Sequence, residues 1–105
     1  MSPFYYQVKI QVAPDILSDY LSWLKVHIDE MLALGLFEEA SIFKAQSIGD
    51  PEAQESLTVF YAYRQEQNLQ TYLKEYAPRM RSSMPENFQG KLHFERYQLT
   101  GVSVE

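Results

Sequence analysis

His27 is the residue best suited to moving a proton. On a helix, Trp23, His27 and Glu30 fall at i, i+4 and i+7, which sets an imidazole between an indole and a carboxylate along one flank. Imidazole titrates near neutrality, and an adjacent acid raises its basicity and orients it, so the trio suits a general base. It equally fits a half-exposed helix histidine beside an ordinary i, i+3 partner.

Arg79 and Arg81 follow Pro78 directly. If Pro78 opens a helical segment, free N–H groups lie beside two guanidinium groups, a recipe for holding a carboxylate or phosphate. Glu75, four residues before Arg79, offers an ion pair as the plainer role. Arg96 shares strand parity with Leu92 and Phe94, and an inward arginine must find an anion, whether Glu30, Glu38 or a ligand. With the opposite parity Arg96 is solvated, and His93 and Tyr97 point inward instead. Tyr6, Tyr61 and Tyr63 share one side of the predicted central strands, where three hydroxyls need partners and line either a wet pocket or the rim of the core. The candidate site is therefore His27 as catalytic base, with Tyr6, Trp23, Tyr61, Tyr63, Arg79, Arg81 and Arg96 as ligand contacts.

Other chemistries lack their residues. Without cysteine there is no disulfide, thiolate nucleophile or zinc-thiolate site. No phosphate-cradling glycine motif, G-x-S-x-G elbow or H-E-x-x-H pair is present, and no cofactor is expected. Glu38 and Glu39 are neighbours on a predicted strand and point to opposite faces, so they form no carboxylate dyad. His93 is the one imidazole besides His27, too few for a metal site of three or four ligands, and none is expected.

The elements that must position these residues follow from periodicity. Phe4 to Val12 alternates as a strand, with Phe4, Tyr6, Val8, Ile10 and Val12 on one side. Pro14 and Asp15 start a helix, Leu17, Leu21, Leu24, Ile28 and Met31 trace its apolar stripe, and Gly35 ends it in a left-handed cap, giving a helix over 15–34. Strands are predicted over 37–47 and 56–64 around the turn Gly49-Asp50-Pro51. Leu69, Tyr72, Leu73, Tyr76 and Ala77 give a second helix that breaks or kinks at Pro78, with Met80 and Met84 on the inner face of the segment after it. Gln89-Gly90 then turns into a last strand over 91–99.

The order βαββαβ in a 105-residue chain predicts one α+β domain spanning 1–105. Its fold is ferredoxin-like, a four-stranded antiparallel sheet with both helices on one face. The opposite face would carry Tyr5, Phe43, Ala45, Phe60, Ala62, Tyr97 and Leu99. That face is too apolar to leave wet, and a two-fold homodimer packed sheet to sheet is expected.

A resemblance adds to this. Trp23-Leu24, His27-Ile28-Asp29-Glu30-Met31-Leu32 and Leu34-Gly35-Leu36-Phe37-Glu38-Glu39-Ala40 resemble the first half of an uncharacterised bacterial family of domains of unknown function. Ala77-Pro78-Arg79-Met80-Arg81 and Phe88-Gln89-Gly90-Lys91, with Arg96, resemble its second half. The resemblance implies a ferredoxin-like fold in a dimeric α+β barrel and no established activity. Other dimeric α+β barrels include cofactor-independent monooxygenases.

Nine basic against fourteen acidic residues leave a formal charge of −5, the wrong sign for neutralising phosphates, so no nucleic-acid partner is expected. The third strand also lacks the basic-glycine-aromatic opening of RNA-recognition modules, which share the same element order. The opening stretch lacks a signal peptide's pattern and no apolar run approaches ~18 residues, so a cytoplasmic protein without a membrane partner is expected. Two functions remain open. One is a homodimer that binds a small anionic or aromatic molecule between sheet and helices, with a cofactor-independent, monooxygenase-like enzyme as its catalytic variant. The other is a noncatalytic interaction or regulatory protein.

Overall fold

The structure, a computed structural model, describes residues 4–104. The first residues of the opening stretch lie outside them. Strand β1 (Phe4–Val12) leads through a 3-10 turn (Pro14–Ile16) into α1 (Leu17–Ala33), then β2 (Glu39–Ala45) and β3 (Ser56–Tyr63). A second helical run follows as α2 (Gln67–Thr71), one π turn (Tyr72–Tyr76) and α3 (Ala77–Ser82), before a 3-10 turn (Glu86–Phe88) and β4 (Leu92–Thr100). The sheet is antiparallel in the order β2-β3-β1-β4, the ferredoxin-like arrangement read from the sequence.

Register decides which side chains face the helices. Tyr6 pairs with Tyr61, Val8 with Val59 and Arg96, and Ile10 with Leu57 and Phe94, and paired residues point to the same side of a sheet. Arg96 therefore lies on the helix side with Phe94, while His93, Glu95 and Tyr97 lie on the other. Tyr6, Ile10, Val59, Tyr61 and Tyr63 of the sheet are buried against Tyr20, Leu24 and Met31 of α1 and Leu69, Tyr72 and Met80 of the second helical run. The apolar stripe of α1 is rotated from expectation, since Leu17, Leu21 and Ile28 are half-buried whereas Tyr20 is sealed.

Phe37 is the largest departure. It was expected at the start of a strand, but it precedes β2 in a loop and is buried. Its ring centroid lies 6.2 Å from Tyr6, 5.3 Å from Tyr61, 5.9 Å from Tyr63 and 5.5 Å from Tyr72. Two contacts hold this loop. Gly35 takes φ +80 and its N–H closes on the Leu32 carbonyl at 3.2 Å, while the Asn68 side chain donates to the Leu36 carbonyl at 3.0 Å.

The second helical run does not break at Pro78. Proline has no N–H to donate and its ring would meet the carbonyl four residues back, which belongs to Lys74. The chain widens instead, Ala77 N–H reaching the Tyr72 carbonyl, and Pro78 occupies the first turn of α3. Met80 lands in the core and Met84 packs beside it, as the sequence predicts.

Gly35→Ala tests the loop anchor. An added Cβ meets nothing within 4 Å, so the whole cost is the left-handed backbone, about 1–2 kcal/mol. A lower urea midpoint at unchanged slope is the expected result.

Candidate functional site

Between the sheet and the helices lies a cavity of about 180 Å³. β1 and β3 supply its floor through Tyr6, Val8, Ile10, Val59 and Tyr61, and α1 supplies one wall through Tyr20, Trp23, His27 and Met31. Tyr72, Met80, Arg81 and Met84 close the other wall, and Phe94 and Arg96 enter from β4. Six of the eight residues singled out from the sequence thus meet here: Tyr6, Trp23, His27, Tyr61, Arg81 and Arg96. The remaining two lie elsewhere. Tyr63 is sealed in the core, its ring 5.4 Å from Phe4 and 5.9 Å from Phe37, and does not line the cavity. Arg79 is exposed with its guanidinium 5.4 Å over the Tyr76 ring, a cation–π contact instead of the Glu75 pair.

Tyr20, Tyr72 and Phe94 were not singled out for the site. Tyr20 had a signal, because it stands three residues before Trp23 and seven before His27 on the same helix face. Phe94 had one in its parity with Arg96. Tyr72 had one as well, since it stands three residues after Leu69 on the apolar spacing of the second helix.

Electrostatics divide the cavity. Arg81 and Arg96 are exposed while lining it, so they stand at its rim. The Arg96 guanidinium lies 4.9 Å over the Phe94 ring, which occupies its face and leaves its in-plane N–H groups free. Among the described residues neither arginine has a carboxylate within 4 Å: Glu38 is taken by Arg64 and Asp15 by Lys91. Among the described residues no acidic side chain lines the cavity. The inner end holds the hydroxyl-bearing rings of Tyr6, Tyr20, Tyr61 and Tyr72, all buried. Burial pushes the phenol of Tyr72 up to about 12, and those of Tyr20 and Tyr61 higher still, so all three stay neutral.

His27 stacks on Trp23 at 4.8 Å and 14°. Its Nδ1 is buried with no hydrogen-bond partner, so any exchange with a ligand or with water runs through Nε2. Burial holds the imidazole below its ordinary value, and the weaker pull of Glu30 in the other direction does not reverse this. The result is a neutral, desolvated imidazole on the cavity wall. Among the described residues no group of three His, Cys, Asp or Glu could hold a metal ion, and no helix is long and apolar enough to cross a membrane.

Residues 4–102 match the domain of unknown function DUF4286. The chain belongs to that family. No curated protein matches this DUF4286 chain. Among solved structures it is similar to one described as a "putative monooxygenase" from Shewanella loihica PV-4, with a TM-score of 0.62, 20% identity and 99% of each chain covered. At that identity the likeness is one of fold. The two anionic-ligand candidates on the second helical run are thus separated by this chain's own geometry: Arg81 faces the cavity, and Arg79 faces away.

His27 makes stability depend on pH. Its folded value lies below the ordinary 6.5, so between the two the unfolded chain binds more protons. Stability is full above the unfolded value, falls as pH drops through this window, and levels off below the folded value. His27→Gln abolishes that slope, which urea midpoints between about pH 7.5 and pH 5.5 will show. An unchanged slope would place the titrating group elsewhere.

Proposed function

We propose that this DUF4286 protein is a homodimer that binds a small aromatic anion in the cavity between its sheet and helices. One observation carries the ligand reading: in a chain of net charge −5, two arginines stand at the rim of an aromatic cavity, and among the described residues neither has a carboxylate partner and no acidic side chain lines that cavity. An anion at the rim would neutralise both guanidinium groups, and bidentate hydrogen bonds would fix its orientation. The ring would then enter a slot walled by Trp23, Phe94 and the tyrosines. The size agrees, since a cavity of ~150 Å³ takes up benzene and this one measures about 180 Å³.

The dimer reading rests on shape. The chain measures 38 × 37 × 18 Å, a slab, with a radius of gyration of 14.6 Å where ~12.9 Å suits a compact chain of this length. It exposes 7053 Å², against ~6,100 Å² for a folded monomer of 12.3 kDa. That excess is close to the ~800 Å² each partner buries in a standard interface. The outer sheet face carries Tyr5, Phe43 and Tyr97, all exposed, around Phe60. A second copy laid on it would bring the thickness to that of the other two dimensions.

A cofactor-independent enzyme is the second reading. The observation favouring it is the neutral, desolvated His27 on the cavity wall, a base held where water is scarce. Oxygen uptake with an aromatic acid and no added cofactor, abolished in His27→Gln, would establish it; no uptake across such acids would leave binding alone.

Thermal shift tests the binding reading. Single-ring carboxylates such as benzoate and phenylacetate should raise Tm with concentration, benzamide should not, and Arg96→Ala should lose the response. No response to any carboxylate would sink it. Light scattering at micromolar concentration should give twice the chain mass, and Phe43→Glu should return a folded monomer. A monomeric mass for the unaltered chain would end the dimer proposal.

A further inference from the structure

The two ends of the cavity differ in kind, guanidinium groups at the rim and phenol hydroxyls within. Tyr6, Tyr20, Tyr61 and Tyr72 are each at most 4% exposed as residues and all four line the cavity, with the Tyr6 ring centroid 5.9 Å from that of Tyr61 and 5.7 Å from that of Tyr72. Among the described residues none of the four hydroxyls is hydrogen-bonded to another group, and none is among the side-chain atoms sealed from solvent without a partner, which are His27 Nδ1 and the Tyr63 hydroxyl. The four hydroxyls therefore open onto the cavity, where water or an occupant meets them. A cavity that presents four donor-acceptor groups is equipped for an occupant with polar atoms at that end.

We propose that the cavity selects a one-ring aromatic monoanion whose inner end is a neutral hydroxyl or carbonyl, with the tyrosine quartet reading that end. This rests on the aromatic-anion reading above and narrows it by three exclusions. A second anionic group at the inner end would be stripped of water with only neutral phenols to receive it, a cost that such hydrogen bonds do not repay. A cationic inner end would find no carboxylate, because among the described residues none lines the cavity. An apolar inner end would bury the phenol hydroxyls unpaired and forfeit a hydrogen bond for each one left dry. A hydroxyl both donates and accepts, and a carbonyl accepts from two phenols, so either satisfies the quartet without adding charge. Size leaves room for one ring and its two short substituents, not for a second ring.

Calorimetry on the full chain with four probes of one shape tests this: 4-hydroxyphenylacetate, 4-methylphenylacetate, 4-carboxyphenylacetate and 4-hydroxyphenylacetamide. The hydroxy acid should bind at least about tenfold more tightly than the methyl acid, since the methyl group leaves the phenols unpaired. The dianion and the amide should not bind measurably. Tyr61→Phe, which removes one oxygen and keeps the ring, should shrink the hydroxy-over-methyl ratio, whereas Arg96→Ala should weaken both monoanions alike. Tyr72→Phe serves as a second variant. A methyl acid that binds as tightly as the hydroxy acid, or a ratio untouched by both phenylalanine variants, overturns the tyrosine reading and leaves the aromatic-anion reading standing. If neither monoanion binds better than the amide, the aromatic-anion reading itself falls, and this inference with it.

Discussion

A phenol ring buries readily and its hydroxyl does not, and this conflict organises the helix-facing side of the DUF4286 chain. Rings from both central strands and both helical runs enter one layer, where Phe37 meets four of them within 6.2 Å. Aromatic packing supplies the apolar area. It leaves the hydroxyl oxygens to be accommodated. The Tyr63 hydroxyl is sealed from solvent, whereas Tyr6, Tyr20, Tyr61 and Tyr72 line the cavity beside the apolar side chains of Val8, Ile10, Met31, Val59 and Met80.

Charge follows the same division. The acidic excess of the chain sits outside the cavity, where Glu38 and Asp15 hold Arg64 and Lys91 in ion pairs at the surface. Such exposed pairs contribute little to stability. They do, however, occupy two carboxylates that would otherwise compete for cations, and Arg81 and Arg96 remain unneutralised at the rim. A desolvated neutral imidazole, two free guanidinium groups and a cluster of neutral phenols thus border one space of single-ring size.

Much of this was legible from periodicity. Strict alternation in β1 indicated which side Tyr6 takes, and the same parity carried to Tyr61 through the hairpin; the side of Arg96 stayed open until its pairing with Val8 decided it, and Tyr63, on the parity of Tyr61, lies outside the cavity. The π turn and the loop were not legible, for physical reasons. A proline predicts trouble in a helix but not whether the chain breaks, kinks or widens, and the choice of widening sends Arg81 into the cavity and leaves Arg79 over Tyr76. Phe37 sits in an apolar run with no Gly or Pro between it and β2, so nothing marked it as a loop residue whose side chain turns inward. The apolar stripe of α1 was read around its leucines, and Tyr20, with a polar atom, was passed over although it is as buried as Met31.

The widened turn at Tyr72–Tyr76 also fixes the phase of everything after it. A π turn holds one residue more than the α turn it replaces, and each residue of an α-helix advances about 100° around the axis. Removing a single residue from this stretch would let the helix run straight, and Met80, Arg81 and Met84 would swing by more than a quarter turn while Tyr72 stayed in place. Chain length across those five residues is thus a more sensitive determinant of the rim than the identity of any one of them. Related chains that keep Arg81 in sequence but lose one residue here would carry the arginine and not the site.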